Sequence, residues 1–255
     1  DGGLVRRGWA QWRMARSLAA ERSGCVVLPF FDHALIGAAL DRRPVAGTIG
    51  GIVFRPPSDY GLVSTRTRRA MARRKWLTYR LAARRGTCLM TLDEYSAAQA
   101  PARTGKPLHF VPDPAPPATL LEGRSPAVRT DGRHVALLFG ALGQRKGVHA
   151  LLDAVPHLPG DIRARLVLRL AGRILPEERA SVMAHLERTR ADIPDLPIEL
   201  EDRFLSEDEI ACEVVSAHVV LAPYQGHVGS SGILLWAAQA QRPVLTQRTG
   251  LMGGW

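Results

Sequence analysis

Cysteine is scarce in this chain. Cys25, Cys88 and Cys212 stand far apart and none belongs to a C-x-x-C pair. That excludes a zinc ribbon and a disulfide framework, and leaves a reducing compartment as the expectation. Long apolar runs are missing too. The longest, "CVVLPFF" (residues 25–31) and "ILLWAA" (residues 233–238), fall well short of the roughly 18 residues that span a bilayer. No repeat of solenoid length is visible. No DxD-like pair offers itself to a metal, because the acidic pairs of "EDR" and "EDE" fall in a strand and in a capped helix. The chain opens on Asp1 without a charged-then-apolar leader and stops in "TGLMGGW", so both ends read as those of a fragment.

What is present supports a substantial core. With 255 residues, 46% of them apolar, the chain suffices for one large domain or two ordinary ones. The net charge of +10 is unevenly held: the first 112 residues carry 19 Lys/Arg against 7 Asp/Glu, the remainder 15 against 17. Two halves of such different electrical character predict two domains with different partners.

A proline-rich break, "VPDPAPPATLLEGRSPAVRTDGRH" (residues 111–134), separates them, since proline interrupts helix and strand alike. The expected division is residues 1–118, a linker at 119–133, and residues 134–255. In the second half apolar strands alternate with helices. Strands are expected at "VALLFG" (135–140), "RLVLRLAG" (165–172), "IELEDRFL" (198–205), "VVLAPY" (219–224) and "PVLTQ" (243–247). Helices are expected at residues 146–158 and 176–192, in "SEDEIACEVVSA", where Ser206 and Glu209 form a capping box, and in "GILLWAAQAQ". This alternation predicts a parallel sheet covered on both faces. The first half offers the strands "CVVLPFF", "VAGTIGGIVF", "TCLMTL" and "LHFVPD", separated by one long basic helix. In such folds ligands bind beyond the carboxyl ends of the strands, so the residues following each strand are the candidates.

After the first strand of the second half stands "FGALGQRKG". It is neither a Walker A loop nor G-x-G-x-x-G, yet Gly140 and Gly143 build a turn that brings Arg145 and Lys146 to a helix start. A helix N-terminus beside two fixed cations suits a diphosphate, where an isolated pair would read as a solvated basic turn. The loop "GHVGSSG" follows the strand that ends at Tyr224. Gly229 and Gly232 let backbone approach a ligand, while Ser230 and Ser231 offer hydroxyls; the bland alternative is an N-cap on a core helix.

The segments "LLFGALGQRKGVHALLDAV", "RFLSEDEI", "HVVLAPY" and "GSSGILLWAAQAQRPVL", in this order and spacing, resemble the donor-binding half of glycosyltransferase family 4. That resemblance implies an α/β GT-B fold: two Rossmann-like doubly wound domains facing across a cleft, the N-terminal acceptor-side domain incomplete and the donor-binding domain truncated at its C-terminus. It also implies that Lys146 contacts the donor diphosphate. The usual second basic residue falls at Ala141, which leaves Arg145 as its substitute. The family's Glu-x7-Glu pair falls at Val228 and Trp236, so neither carboxylate is present and donor contacts pass to Gly229, Ser230, Ser231 and Gly232. On the acceptor side, Asp32 and His33 follow a strand where family members often carry a histidine lining the sugar site; a structural Asp–His pair is the alternative.

Two further strand ends matter. In "FRP" (residues 54–56) Arg55 is placed to meet an anion, whereas Asp93 in "TLDEY" reads as a helix cap. Residues 66–85, "RTRRAMARRKWLTYRLAARR", run from Arg66 to Arg85 as a basic helix. Arg66, Arg69, Arg73, Arg80 and Arg84 form one stripe, with Met71, Trp76, Tyr79, Ala82 and Ala83 opposite; Leu77 and Leu81 spoil the separation. A solvated arginine face ranks first, anionic lipid second and nucleic acid third, since no nucleic-acid motif accompanies the charge.

The expectation is therefore a cytoplasmic glycosyltransferase, peripheral at the inner membrane face in the membrane reading. It would move a hexose from a nucleotide-diphosphate sugar to a glycan or lipid-linked acceptor, with retention, without metal and without a cofactor. A non-catalytic nucleotide-sugar binding module and a nucleotide-sugar epimerase on the same fold are the alternatives.

Overall fold

The structure, a computed structural model, describes residues 2–22, 24–55, 66–84, 86–127 and 129–253. Pro56 and Arg85, with the side chains of Arg66 and Arg69, lie outside the described residues. The chain forms two units: Asp1–Asp113 with Val228–Ser230 and Thr249–Trp255, and Pro114–His227 with Ser231–Arg248.

In the first unit the order is α1 (Gly2–Arg22), β1 (Cys25–Leu28), α2 (Ala34–Leu40), β2 (Thr48–Val53), α3 (Arg66–Ala82), β3 (Thr87–Thr91), α4 (Glu94–Thr104) and β4 (His109–Phe110). The four strands are parallel and lie in the order β1-β2-β3-β4. A sheet that advances in one direction through right-handed crossovers puts its connecting helices on one face. Accordingly α1 packs on α2 and α2 on α3, over a core of Trp12, Phe31, Ile49, Tyr79 and Leu89.

The strands fall where the apolar runs place them, but four helices replace the single one expected. The inward stripe of α1, Trp12, Ala15 and Ala19, is narrow and set among arginines, so periodicity alone hides it. Asp41, just past α2, is buried and accepts from Trp12 Nε1 (3.0 Å) and Arg16 Nη1 (2.8 Å). Hydrogen bonds from Arg43 above all hold its carboxyl well below the usual carboxylate range, despite the burial. Asp93 caps α4 as expected, accepting from the Ser96 N–H.

The wheel drawn for residues 66–85 needs correction, first because α3 ends at Ala82 and leaves Ala83 and Arg84 beyond the helix. Trp76, Tyr79, Ala82 and Ala83 are buried, but Met71 is exposed. Arg84 is not part of a solvated stripe: its guanidinium donates to the Ala38 carbonyl at the end of α2 and lies 5.5 Å over the Trp12 ring. The open carbonyls of a helix end and an aromatic face together draw it inward.

The second unit contains β5 (His134–Phe139), α5 (Val148–Ala154), α6 (Gly160–Arg163), β6 (Leu166–Ala171), α7 (Arg179–Asp192), β7 (Ile198–Glu201), α8 (Glu207–Ser216), β8 (Val219–Ala222), α9 (Gly232–Gln239) and β9 (Val244–Thr246). Its parallel sheet runs β7-β6-β5-β8-β9. The capping box of Ser206 and Glu209 forms as expected. Strand β7 is shorter than its apolar run, because Asp202 turns away to accept from the Ile174 N–H at 2.8 Å.

The helix expected from residue 146 is also interrupted. Gln144–Lys146 make a 3-10 turn, then Gly147 takes φ 81°, and only afterwards does α5 begin. A Cβ on Gly147 would stand 1.9 Å from the Pro223 carbonyl oxygen, so only glycine lets the β5 and β8 loops touch. Because β6 and β8 flank β5 on opposite sides, the sheet reverses direction there. Its ligand crevice opens at the carboxyl ends of β5 and β8.

Candidate functional site

The crevice of the second unit gathers Gly140, Lys146, Tyr224 and Ser231. Gly140 is the first residue beyond β5 and takes φ 99°. A Cβ there would lie 3.3 Å from Lys146 Nζ, so the bare backbone leaves room for the amine. Lys146 is 8% exposed, Tyr224 3% and Ser231 8%, which makes this a buried polar chain rather than a surface one. Lys146 Nζ donates to the Tyr224 hydroxyl at 2.6 Å, and that hydroxyl shares a 2.6 Å hydrogen bond with Ser231 Oγ. The amine also stands 4.8 Å from the Tyr224 ring centroid, with the Arg145 guanidinium 5.5 Å from the same ring.

Among the described residues no carboxylate pairs with Lys146. Burial first, and the neighbouring Arg145 second, push its pKa down to about 7. Burial likewise raises Tyr224. A desolvated amine with a second cation beside it and no counter-ion favours a ligand that brings negative charge.

The remaining candidates are placed differently. Gly143 starts the 3-10 turn, but the Glu178 carboxylate accepts from the Gln144 N–H there, so the chain itself fills part of the expected anion-binding backbone. Ser231 is the N-cap of α9, yet its hydroxyl caps nothing and goes to Tyr224. Gly232 opens α9 with free space around its Cα. Gly229 and Ser230 belong to the first unit, where Ser230 Oγ donates to Asp113 at 3.1 Å. His33, also in the first unit, is exposed at the start of α2. The Asp32 carboxylate is engaged by the Phe54 and Arg55 N–H groups, both at 2.8 Å, so it orders a loop.

A groove of about 610 Å³ adjoins Gly140, walled by Ala141, Gly172, Arg173, Phe204, Ile210 and Trp236. Phe204 is 82% exposed, and Trp236 stands on α9. Sequence reasoning passed over Phe204 and Arg173; the signal for Arg173 was an "AGR" closing a strand. A second cavity, about 440 Å³, holds Arg124, Arg129, Arg169 and Arg203. Each of these is already paired with Asp or Glu, so this cavity has no spare positive charge to offer, unlike the Lys146 crevice.

Two parallel-sheet units, one with a switch-point crevice lined by a buried amine, define a fold of the GT-B glycosyltransferase type. Solved structures of that type superpose on this chain. HepE of Anabaena, in complex with UDP, matches with TM-score 0.67 and 14% identity over 96% of this chain and 65% of that one. A UDP-forming α,α-trehalose-phosphate synthase of Burkholderia vietnamiensis gives 0.66 and 14% over 99% and 62%. WaaG, a glycosyltransferase involved in lipopolysaccharide biosynthesis, gives 0.54 and 17% over 80% and 60%. The chain thus spans 60 to 65% of the length of these three structures, and at such identities the likeness is one of fold. No protein-family model matches the chain, and no curated protein matches its sequence.

Proposed function

We propose that this chain acts as a glycosyltransferase that binds a nucleotide-diphosphate sugar and transfers its hexose to a glycan or lipid-linked acceptor. The observation that carries the reading is the buried, carboxylate-free Lys146 at the switch point of β5 and β8. Transfer leaves a diphosphate on which negative charge grows, and a desolvated ammonium already in place stabilises it most at that moment. Arg145 is the second cation in this reading, and the Phe204–Trp236 groove receives the nucleoside. The presence of UDP in the HepE structure supports uridine as the first base to test. Retention of configuration, independence of metal and a role for His33 toward the acceptor belong to the same proposal.

The experiment is calorimetric titration with UDP and GDP, followed by product analysis with the corresponding sugars in the presence of EDTA. Binding that disappears in Lys146→Ala is expected. Failure of the wild type to bind either diphosphate, or binding indifferent to the substitution, would refute the donor site. A second reading, a binding module without catalysis, is favoured by Val228 and Trp236 at the two positions of the missing carboxylates. It predicts tight diphosphate binding with no glycosylated product from any acceptor.

A further inference from the structure

Two arginine Nε atoms are buried without an acceptor among the described residues, those of Arg84 and Arg242. A buried N–H with nothing to receive it costs free energy, so a fold that keeps one points to a partner arriving from outside. Arg84 is the one that meets a cavity. About 290 Å³ of space within the first unit is walled in part by Arg84, Thr87, Lys106, Pro107 and His109. Thr87 opens β3 and His109 opens β4, which puts the cavity at the amino ends of the strands. The Asp32 loop and His33 follow the carboxyl end of β1, and the Lys146 crevice belongs to the other unit. The walls are fixed by their own hydrogen bonds. The Thr87 hydroxyl accepts from the Arg84 N–H and donates to the Ala82 carbonyl, the Thr104 hydroxyl accepts from the Lys106 N–H, and the Tyr79 hydroxyl donates to the Pro107 carbonyl.

Three of the lining side chains are basic and none is acidic. Among the described residues Lys106 Nζ and the His109 ring have neither an ion pair nor a hydrogen bond. Burial above all pulls the Arg84 pKa below the usual arginine value, against the attraction of Asp41. Asp41 has little left to give, because its oxygens already accept from Trp12, Arg16 and Arg43. The volume is at the small end for a ligand pocket, too small for a nucleotide and ample for a compact anion. A guanidinium, an ammonium and an imidazole around one space suit a group with several acceptor oxygens, and a tetrahedral oxyanion offers more of them than a carboxylate. We infer that this cavity is a binding site for a small oxyanion of the phosphate class, held by Arg84, Lys106 and His109. The inference is independent of the donor site.

The test is calorimetric titration with inorganic phosphate and, separately, with glycerol 3-phosphate, at constant ionic strength. It is run in Lys146→Ala, so that the crevice of the second unit does not contribute. One anion per chain is expected. Adding Lys106→Ala/His109→Ala removes two exposed side chains and should weaken binding by at least about tenfold. Adding Arg84→Lys instead keeps the charge but removes the orphan N–H, and should weaken it as well; each variant is checked for unchanged circular dichroism. Tighter binding of glycerol 3-phosphate assigns the site to a phosphomonoester, and the reverse order assigns it to free phosphate. No binding in Lys146→Ala, an affinity unchanged by either further substitution, or heats reproduced by the same concentration of chloride would overturn the proposal.

Discussion

Replacing Lys146 by methionine removes a buried charge while keeping an unbranched side chain of similar length, and the structure fixes the sign of the result. The amine's pKa falls from 10.5 to about 7 on folding. At about 1.36 kcal/mol per unit this amounts to no more than about 5 kcal/mol of destabilisation at neutral pH. The hydrogen bond to Tyr224, lost in the variant, restores about 1 kcal/mol to the wild type's side, and Tyr224 keeps Ser231 as partner. Relaxation around the site lowers the remainder, so a gain on the order of 2 kcal/mol is expected for the empty variant at pH 7.

Between about pH 7 and 10.5 the unfolded chain holds the proton that the folded one has released. Wild-type stability therefore rises with pH through that window, whereas the variant's does not. Scanning calorimetry at a series of pH values should show the melting temperature of Lys146→Met above that of the wild type by several degrees at pH 7, with the difference closing toward pH 10. UDP affinity should fall meanwhile by roughly ten- to a hundredfold, the worth of a charge-assisted hydrogen bond. A difference that is flat with pH, or a variant less stable throughout, would refute the desolvated-amine account.

Other expectations concern the walls of the site. Gly147→Ala forces a Cβ onto the Pro223 carbonyl at a left-handed backbone position, and calorimetry should register a loss of at least about 2 kcal/mol. Phe204→Ala should weaken UDP by about 1 kcal/mol yet leave inorganic pyrophosphate unaffected, as measured by competition, because only the nucleoside uses the aromatic wall. His33→Ala should leave UDP binding unchanged while slowing transfer; a proportional loss in both would move His33 out of the acceptor role.

The strands were legible because each is an apolar run between turn residues, and chain order puts "GQRKG" and Ser231 just past two of them, whereas Gly229 and Ser230 fall in the first unit. Sheet order was not, since nothing local says that β8 rather than β7 lies beside β5. Ser231 illustrates the limit at side-chain scale: it is a good cap by type, but a buried tyrosine hydroxyl seven residues earlier competes successfully for it. Met71 in α3 and Arg84 just beyond it show the same, since the wheel assumes that charge faces water and carbon does not. Leu77 and Leu81 looked like faults in periodicity, and in three dimensions both are exposed.

That no carboxylate among the described residues pairs with Lys146 has a consequence for turnover. A fold that buries an amine beside a second cation opens more often than the same fold with an anion bound there, and proteases act on the opened form. If the crevice takes the diphosphate proposed above, the half-life of this chain in a cell would follow the concentration of that ligand. Abundance would then report the supply of that proposed ligand without any dedicated sensor, through an amine that no described carboxylate pairs with.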